Sequence, residues 1–131
     1  MTTAEIENYI SIYKSGLIEN IIPFWLRHGI DQEHGGFMFA VDQDGTNVDT
    51  DKGVWQHGRF TWMLATLYNE VDQKREWLDQ AINGADFLEN HCIDDDGRMF
   101  FVVDRIGNPI RKRRYVFSET FASIAFAALY R

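Results

Sequence analysis

The sequence is poor in several things, and each shortage excludes something. It has one cysteine, Cys92, so no internal disulfide can form and nothing demands an oxidising compartment. No stretch approaches the roughly 18 uninterrupted apolar residues of a membrane span. The first residues, Met1-Thr2-Thr3-Ala4-Glu5, bring neither a basic segment nor an apolar one, so they do not read as a secretory signal. Positive charge is also scarce. Thirteen Lys and Arg stand against 20 Asp and Glu, for a net charge of -7. Such a surface repels phosphate backbones and anionic lipid, so neither nucleic acid nor membrane is expected as a partner. The expectation is a soluble, cytoplasmic protein.

What is present is an ordinary globular mixture, 45% hydrophobic and 25% charged, with a high aromatic share of 15%. Aromatics in such number suit a thick core or a pocket that stacks on flat ligand faces. At 131 residues the chain fits one small domain and is short for an enzyme enclosing a sugar-sized cavity.

Hydrophobic spacing predicts about four helices and two short β-hairpins. Thr2 and Glu5 have capping-box spacing, and behind them Ile6, Tyr9, Ile10, Tyr13, Leu17 and Ile21 recur every three or four residues. Pro23 interrupts or kinks this first helix. A second helix fits about 54–71 and a third about 74–91. A fourth starts near Phe117, with Ser118 as a plausible N-cap. Phe37, Phe39 and Val41 alternate into the turn Asp42-Gln43-Asp44-Gly45, and a strand over Met99 to Val103 leads into the turn Ile106-Gly107-Asn108-Pro109.

The chain also resembles itself. Shifted by 62 positions, Gly35, Phe39, Val41, Asp42 and Gly45 fall on Gly97, Phe101, Val103, Asp104 and Gly107. Without a gap, Val54, Ala65, Leu67 and Tyr68 then meet Val116, Ala127, Leu129 and Tyr130. The repeating unit is two helices joined by a hairpin, and such units bury their faces only by stacking on neighbours. Two units fall short of the three or so that a stable array needs, and the last helix reaches Arg131 without a capping glycine, asparagine or proline. The expectation is an arc of a longer array.

Four segments together resemble the N-terminal part of the N-acylglucosamine 2-epimerase family. They are Phe24-Trp25-Leu26, His34-Gly35-Gly36-Phe37, Val54-Trp55-Gln56-His57-Gly58-Arg59 and the stretch from Arg111 to Glu119. The resemblance implies an all-α fold, a partial (α/α)6 toroid, with 1–131 the N-terminal fragment of a single barrel domain. It implies sugar epimerisation or aldose–ketose isomerisation at carbon 2, with no cofactor and a small sugar as partner. A homodimer is left open. In the family two histidines exchange the proton, and both lie in the C-terminal two-thirds, so the fragment is expected to be inactive alone.

By the same resemblance Arg59 is the candidate catalytic residue, a fixed cation beside the carbonyl oxygen. Its counterpart in the second unit is Phe121, so the repeat alone would have called for an apolar group. The alternative is an arginine snorkelling from the core or pairing an acid. Trp55, His57, Tyr115 and Glu119 are the candidate substrate-binding residues. His57 stands either toward the pocket or in a solvent-facing or structural position. Glu119 is either a partner for a sugar hydroxyl or a first-turn acid complementing the helix dipole. Trp55, Phe117 and Phe121 form a stacking floor or simply core. The run Arg111-Lys112-Arg113-Arg114 reads as a solvated strand face, and Asp94-Asp95-Asp96-Gly97 as a turn. No histidines and acids have convincing metal-ligand spacing, so no metal is expected. Two rivals remain: a glycoside hydrolase or lyase on the same toroid, using Glu119 with Asp49 or Asp51, and a non-catalytic truncated binding unit.

Overall fold

A computed structural model describes residues 1–112 and 116–130. The first helix comes in three parts. Helix α1 (Thr3–Ser15) opens on the expected capping box, with Thr2 and Glu5 each holding the other's backbone amide. A π-helical stretch, Gly16–Ile21, follows, and α2 (Ile22–His28) continues it. Pro23 accounts for the break: its ring crowds the carbonyl four residues back and it has no N–H to give. Widening the preceding turn, so that Ile22 N–H reaches Leu17 O, lets the helix pass without ending.

Strands β1 (Ala40–Val41) and β2 (Asn47–Asp49) make the first hairpin. Strand β3 (Lys52–Gly53) leads straight into α3 (Val54–Glu70), and α4 (Arg75–His91) returns along it. Strands β4 (Val102–Val103) and β5 (Pro109–Arg111) form the second hairpin, before α5 (Phe117–Tyr130). The second hairpin is not isolated. β3 pairs with β4, giving a three-stranded antiparallel sheet in the order β3-β4-β5, with Lys52 opposite Val103 and Gly53 opposite Val102. The chain is thus helix-rich but not purely helical, and one strand of the first unit is shared with the second.

The strand expected over 37–41 is shorter than its alternation implied. Phe37 makes only a single bridge, to Ile30. Its N–H goes to the His57 ring, and Met38 N–H goes to Gly29 O at 2.7 Å, so the backbone donors are taken before a ladder can form.

The repeat is legible down to single contacts. In each hairpin an aspartate amide closes the turn on a carbonyl four residues on, Asp42 N to Thr46 O and Asp104 N to Asn108 O, both at 2.8 Å. Gly45 and Gly107 hold φ of 92° and 97°, which only glycine adopts cheaply. Each lies against an imidazole, His28 or His91, the last residue of the preceding outer helix. Each imidazole in turn packs on a phenylalanine one turn earlier, Phe24–His28 at 5.0 Å and Phe87–His91 at 4.9 Å.

Two core clusters result. One joins Ile22, Phe37, Leu64, Leu67, Trp77 and Ala81; the other joins Val54, Phe87, Leu88, Cys92, Met99, Val103 and Ala122. Helix α3 lies between α4 and α5 and supplies both clusters. Its close approach to α5 depends on Gly58, where a Cβ would stand 2.7 Å from the Phe121 carbonyl carbon.

Candidate functional site

The helical period divides the segment Trp55-Gln56-His57-Gly58-Arg59 between two environments. Val54, His57, Gly58, Thr61, Leu64 and Ala65 fall on the buried side of α3, at the three- and four-residue spacing of a core stripe. Trp55, Gln56 and Arg59 fall on the other side. There, with Trp25, Phe39 and Phe60, they line a groove of about 420 Å³. Arg59 is exposed in it and has no ion-pair partner among the described residues. A second hollow of about 370 Å³ adjoins at Phe39, Trp55 and Gln56 and is walled by Asp49 and Asp51.

His57 is not in the groove. It is fully buried, its ring stacked on Phe87 at 4.9 Å and beside Phe37 at 5.3 Å. Phe37 N–H donates to Nε2 at 2.8 Å, and a backbone N–H can only donate. Nε2 therefore carries the lone pair, and Nδ1 carries the hydrogen facing Gly53 O at 3.2 Å. Both nitrogens are committed. Burial brings the pKa down to about 3, the Gly53 carbonyl opposing and the Lys52 ammonium adding to the depression. The pocket-facing arrangement is not the one found, and the structural alternative describes the residue. The signal was in the sequence: His57 is in step with Thr61 and Leu64 rather than with Arg59.

Trp55, Phe117 and Phe121 do come together, with ring centroids 5.3 to 6.1 Å apart. Phe117 stays half exposed, so this cluster faces solvent on one side. Glu119, in the first turn of α5, accepts from Arg98 Nε at 2.8 Å and from Met99 N–H at 3.2 Å. Burial raises its pKa, but Arg98 and two backbone amides outweigh that and hold it ionised below the usual range. Its second oxygen is buried with no partner among the described residues. Tyr115 lies outside the described residues, as do Arg113 and Arg114 of the basic run. Lys112 from that run is held by Asp94 and Asp96 in the turn 94–97.

The loop between α2 and β1 holds a cluster that sequence reasoning missed. The buried Asp31 carboxylate accepts from Lys52 Nζ at 2.9 Å and from Arg105 through a two-pronged contact at 2.9 and 3.0 Å. It also accepts from the amides of Glu33 and His34. Lys52, itself fully buried, gives a second hydrogen bond to Gly35 O and lies 4.3 Å from the Phe87 ring centroid. Burial alone would raise the Asp31 pKa; the two cations more than reverse this and keep it far below the carboxylate range. Asn83 Oδ1 takes Gly36 N–H and His57 takes Phe37 N–H. Each amide from 33 to 37 therefore has a partner, with Gly35 N–H on Asp31 O. The loop His34-Gly35-Gly36-Phe37 is a clamped element, and no local motif announces its partners.

Among the described residues no three His, Cys, Asp or Glu side chains are grouped to hold a metal ion, and no helix is long and apolar enough to cross a membrane.

The family model of N-acylglucosamine 2-epimerase matches residues 29–131. The chain belongs to the N-acylglucosamine 2-epimerase family. It is 37% identical over 118 residues to mouse N-acylglucosamine 2-epimerase, covering 87% of this chain and 28% of that protein. It is 32% identical over 124 residues to the cellobiose 2-epimerase of Ruminococcus albus, covering 93% and 31%. A sugar epimerase from a ruminal bacterium superposes with a TM-score of 0.84 at 31% identity, over 94% of this chain and 32% of that one. The cellobiose 2-epimerase of Spirochaeta thermophila DSM 6192 superposes with a TM-score of 0.87 at 25% identity, over 98% and 32%. The chain thus spans under a third of the length of these relatives, and over that part its helix-rich fold superposes on theirs.

Proposed function

We propose that this chain is the N-terminal arc of a single (α/α)6 domain of a sugar 2-epimerase or aldose–ketose isomerase, and that it contributes the carbonyl-binding wall of the site. The observation that carries this is Arg59: an exposed guanidinium in an aromatic groove, with no carboxylate among the described residues to neutralise it.

The chemistry sets what each group does. A proton on carbon next to a carbonyl is weakly acidic, and its removal places negative charge on the carbonyl oxygen in an enediolate. A guanidinium fixed beside that oxygen stabilises the charge as it forms, which is the role of Arg59. Trp55 offers a flat apolar face to the sugar ring, and the Gln56 amide offers both donor and acceptor to its hydroxyls. Glu119 acts through its hold on Arg98 and the 94–99 turn, and Tyr115 keeps the substrate-binding role that the resemblance implies. A base is also needed on one face of carbon 2, with an acid on the other for inversion. The chain's own histidines are placed for other work. His57 is locked neutral in the core, His28 and His91 support the hairpin turns, and His34 lies beside Glu33 at 3.5 Å. The proton-transferring pair is assigned to the remainder of the ring.

Two measurements test this. Incubation of the 131-residue chain with N-acetylmannosamine, mannose or cellobiose in deuterated water is expected to give no carbon-2 exchange above background; exchange would overturn the division of labour. Titration of the same sugars is expected to shift the Trp55 indole resonance, and Arg59→Met is expected to abolish the shift while leaving the far-ultraviolet spectrum unchanged. A shift untouched by R59M would remove Arg59 from the site. The rival hydrolase arrangement has less support: Asp49 and Asp51 wall the adjoining hollow, but Glu119 is tied to Arg98 rather than set across from them.

A further inference from the structure

Each nitrogen of the buried His57 ring is committed to a segment that leads to the walls of the site, although His57 itself lines neither hollow. Nε2 takes Phe37 N–H at 2.8 Å, two residues before Phe39, whose side chain lines both the groove and the adjoining hollow. Nδ1–H faces the carbonyl of Gly53 at 3.2 Å, and Gly53 lines the same hollow at the entry to α3. The ring also meets Phe39 edge-on, with centroids 5.0 Å apart. It flanks Phe37, which in turn stands edge-on to Phe60 of the groove at 4.7 Å. A Cβ at Gly36 would fall 2.6 Å from Nε2, so the loop backbone rests directly on the imidazole.

The second unit repeats the device with different chemistry. At the repeat spacing, Glu119 stands in the place of His57 and Met99 in that of Phe37. Glu119 Oε1 accepts Met99 N–H at 3.2 Å. In both units the first turns of the helix, α3 or α5, thus hold the preceding loop by the same amide. An ionised carboxylate can only accept. The imidazole accepts on one side and donates on the other across a rigid ring, so it also fixes the separation of Phe37 and Gly53. That two-sided hold belongs to the unit that carries Arg59.

We infer that His57 is a positioning residue for the sugar site: its two hydrogen bonds set Phe39 and Gly53 against Trp55 and Arg59. It touches no substrate and moves no proton. The inference rests on the reading of this groove as the sugar site.

Three variants separate positioning from plain stabilisation. His57→Gln keeps an oxygen for Phe37 N–H and an N–H for Gly53 O, whereas His57→Leu offers neither. Leu88→Ala removes buried packing on α4, and Leu88 lines neither hollow. Affinity is read from the Trp55 indole resonance during titration with mannose, well below each Tm. His57→Leu is expected to weaken binding about tenfold, because misplaced walls lose their contacts, and His57→Gln to restore it. Leu88→Ala is expected to lower Tm and yet leave affinity within about twofold of wild type. Equal weakening by L88A and H57L would reduce His57 to a core residue and overturn the inference. So would unaltered affinity in H57L, or a glutamine that fails to restore it.

If mannose moves no resonance in the wild type, the sugar reading fails, and the placing of Phe39 is judged without ligand. Nuclear Overhauser contacts from the Phe39 ring to Trp25 and Phe60 are expected in the wild type and H57Q and are expected to be lost in H57L. Their survival in H57L would overturn the inference. If H57L loses its helical circular dichroism, His57→Asn decides both measurements. One methylene shorter than glutamine, it reaches only one of the two partners, and wild-type behaviour in it would overturn the inference.

Discussion

Replacing His57 by glutamine removes a titrating group from the core while keeping an acceptor for Phe37 N–H. The reasoning concerns protons. In the folded chain the imidazole pKa is about 3, against 6.5 for the free group. A depressed folded pKa contributes stability that is present above the unfolded value and is lost as pH falls toward the folded one. At pH 7 both states hold a neutral ring and nothing is lost. At pH 5 the unfolded ring is almost wholly protonated while the folded ring is not. Linkage costs about 1.4 kcal/mol per pH unit for one proton, so the 1.5 units between 6.5 and 5 remove about 2 kcal/mol. Protonation of Nε2 would also set a second N–H against the Phe37 amide, so the folded state has no easy way to accept the proton. Urea unfolding at pH 7 and pH 5 measures the effect. The wild type is expected to lose about 2 kcal/mol more than His57→Gln over that interval, a difference of about 5–10 °C in Tm for a domain of this size. The other three histidines are common to both proteins and cancel. Parallel loss in the two proteins, or a His57 ring that titrates near pH 6.5 by NMR, would refute the reasoning.

Other perturbations follow from the same contacts. Asp31→Asn leaves the buried Lys52 ammonium and the Arg105 guanidinium without their carboxylate, and breaking a buried pair on one side costs about 3–5 kcal/mol. Thermal unfolding should show that loss, and limited trypsinolysis should find new cleavage near Lys52 and Arg105. An unchanged Tm would mean the cluster is solvated. Gly107→Ala places a Cβ both at positive φ and against the His91 ring, and it should cost about 1–3 kcal/mol in chemical denaturation. Gly97→Ala, also at positive φ but with open space around its Cβ, is the matched control and should cost less.

Particular residues show how far local pattern carries. The capping box at Thr2 and Glu5, the amphipathic spacing behind it and the Asp-Gly turns are short-range features, and each stands as spacing predicts. The repeat was readable because both hairpins need the same turn glycine at the same register, and both rest on a histidine at the end of the outer helix. The side on which His57 stands was readable too, once its step to Thr61 and Leu64 is followed. Other features had no local trace. Arg105 reaches Asp31 across 74 positions, and β3 pairs with the hairpin of the following unit rather than with its own.

The amino-acid order alone made the helix-rich character and the internal repeat legible, because periodicity, capping and turn chemistry act over a few residues, and four of its segments pointed to the family. The inward histidine, the shared third strand and the Asp31 cluster were decided by tertiary structure. A buried charge or a committed imidazole is stable only where partners from distant segments replace the water it has lost.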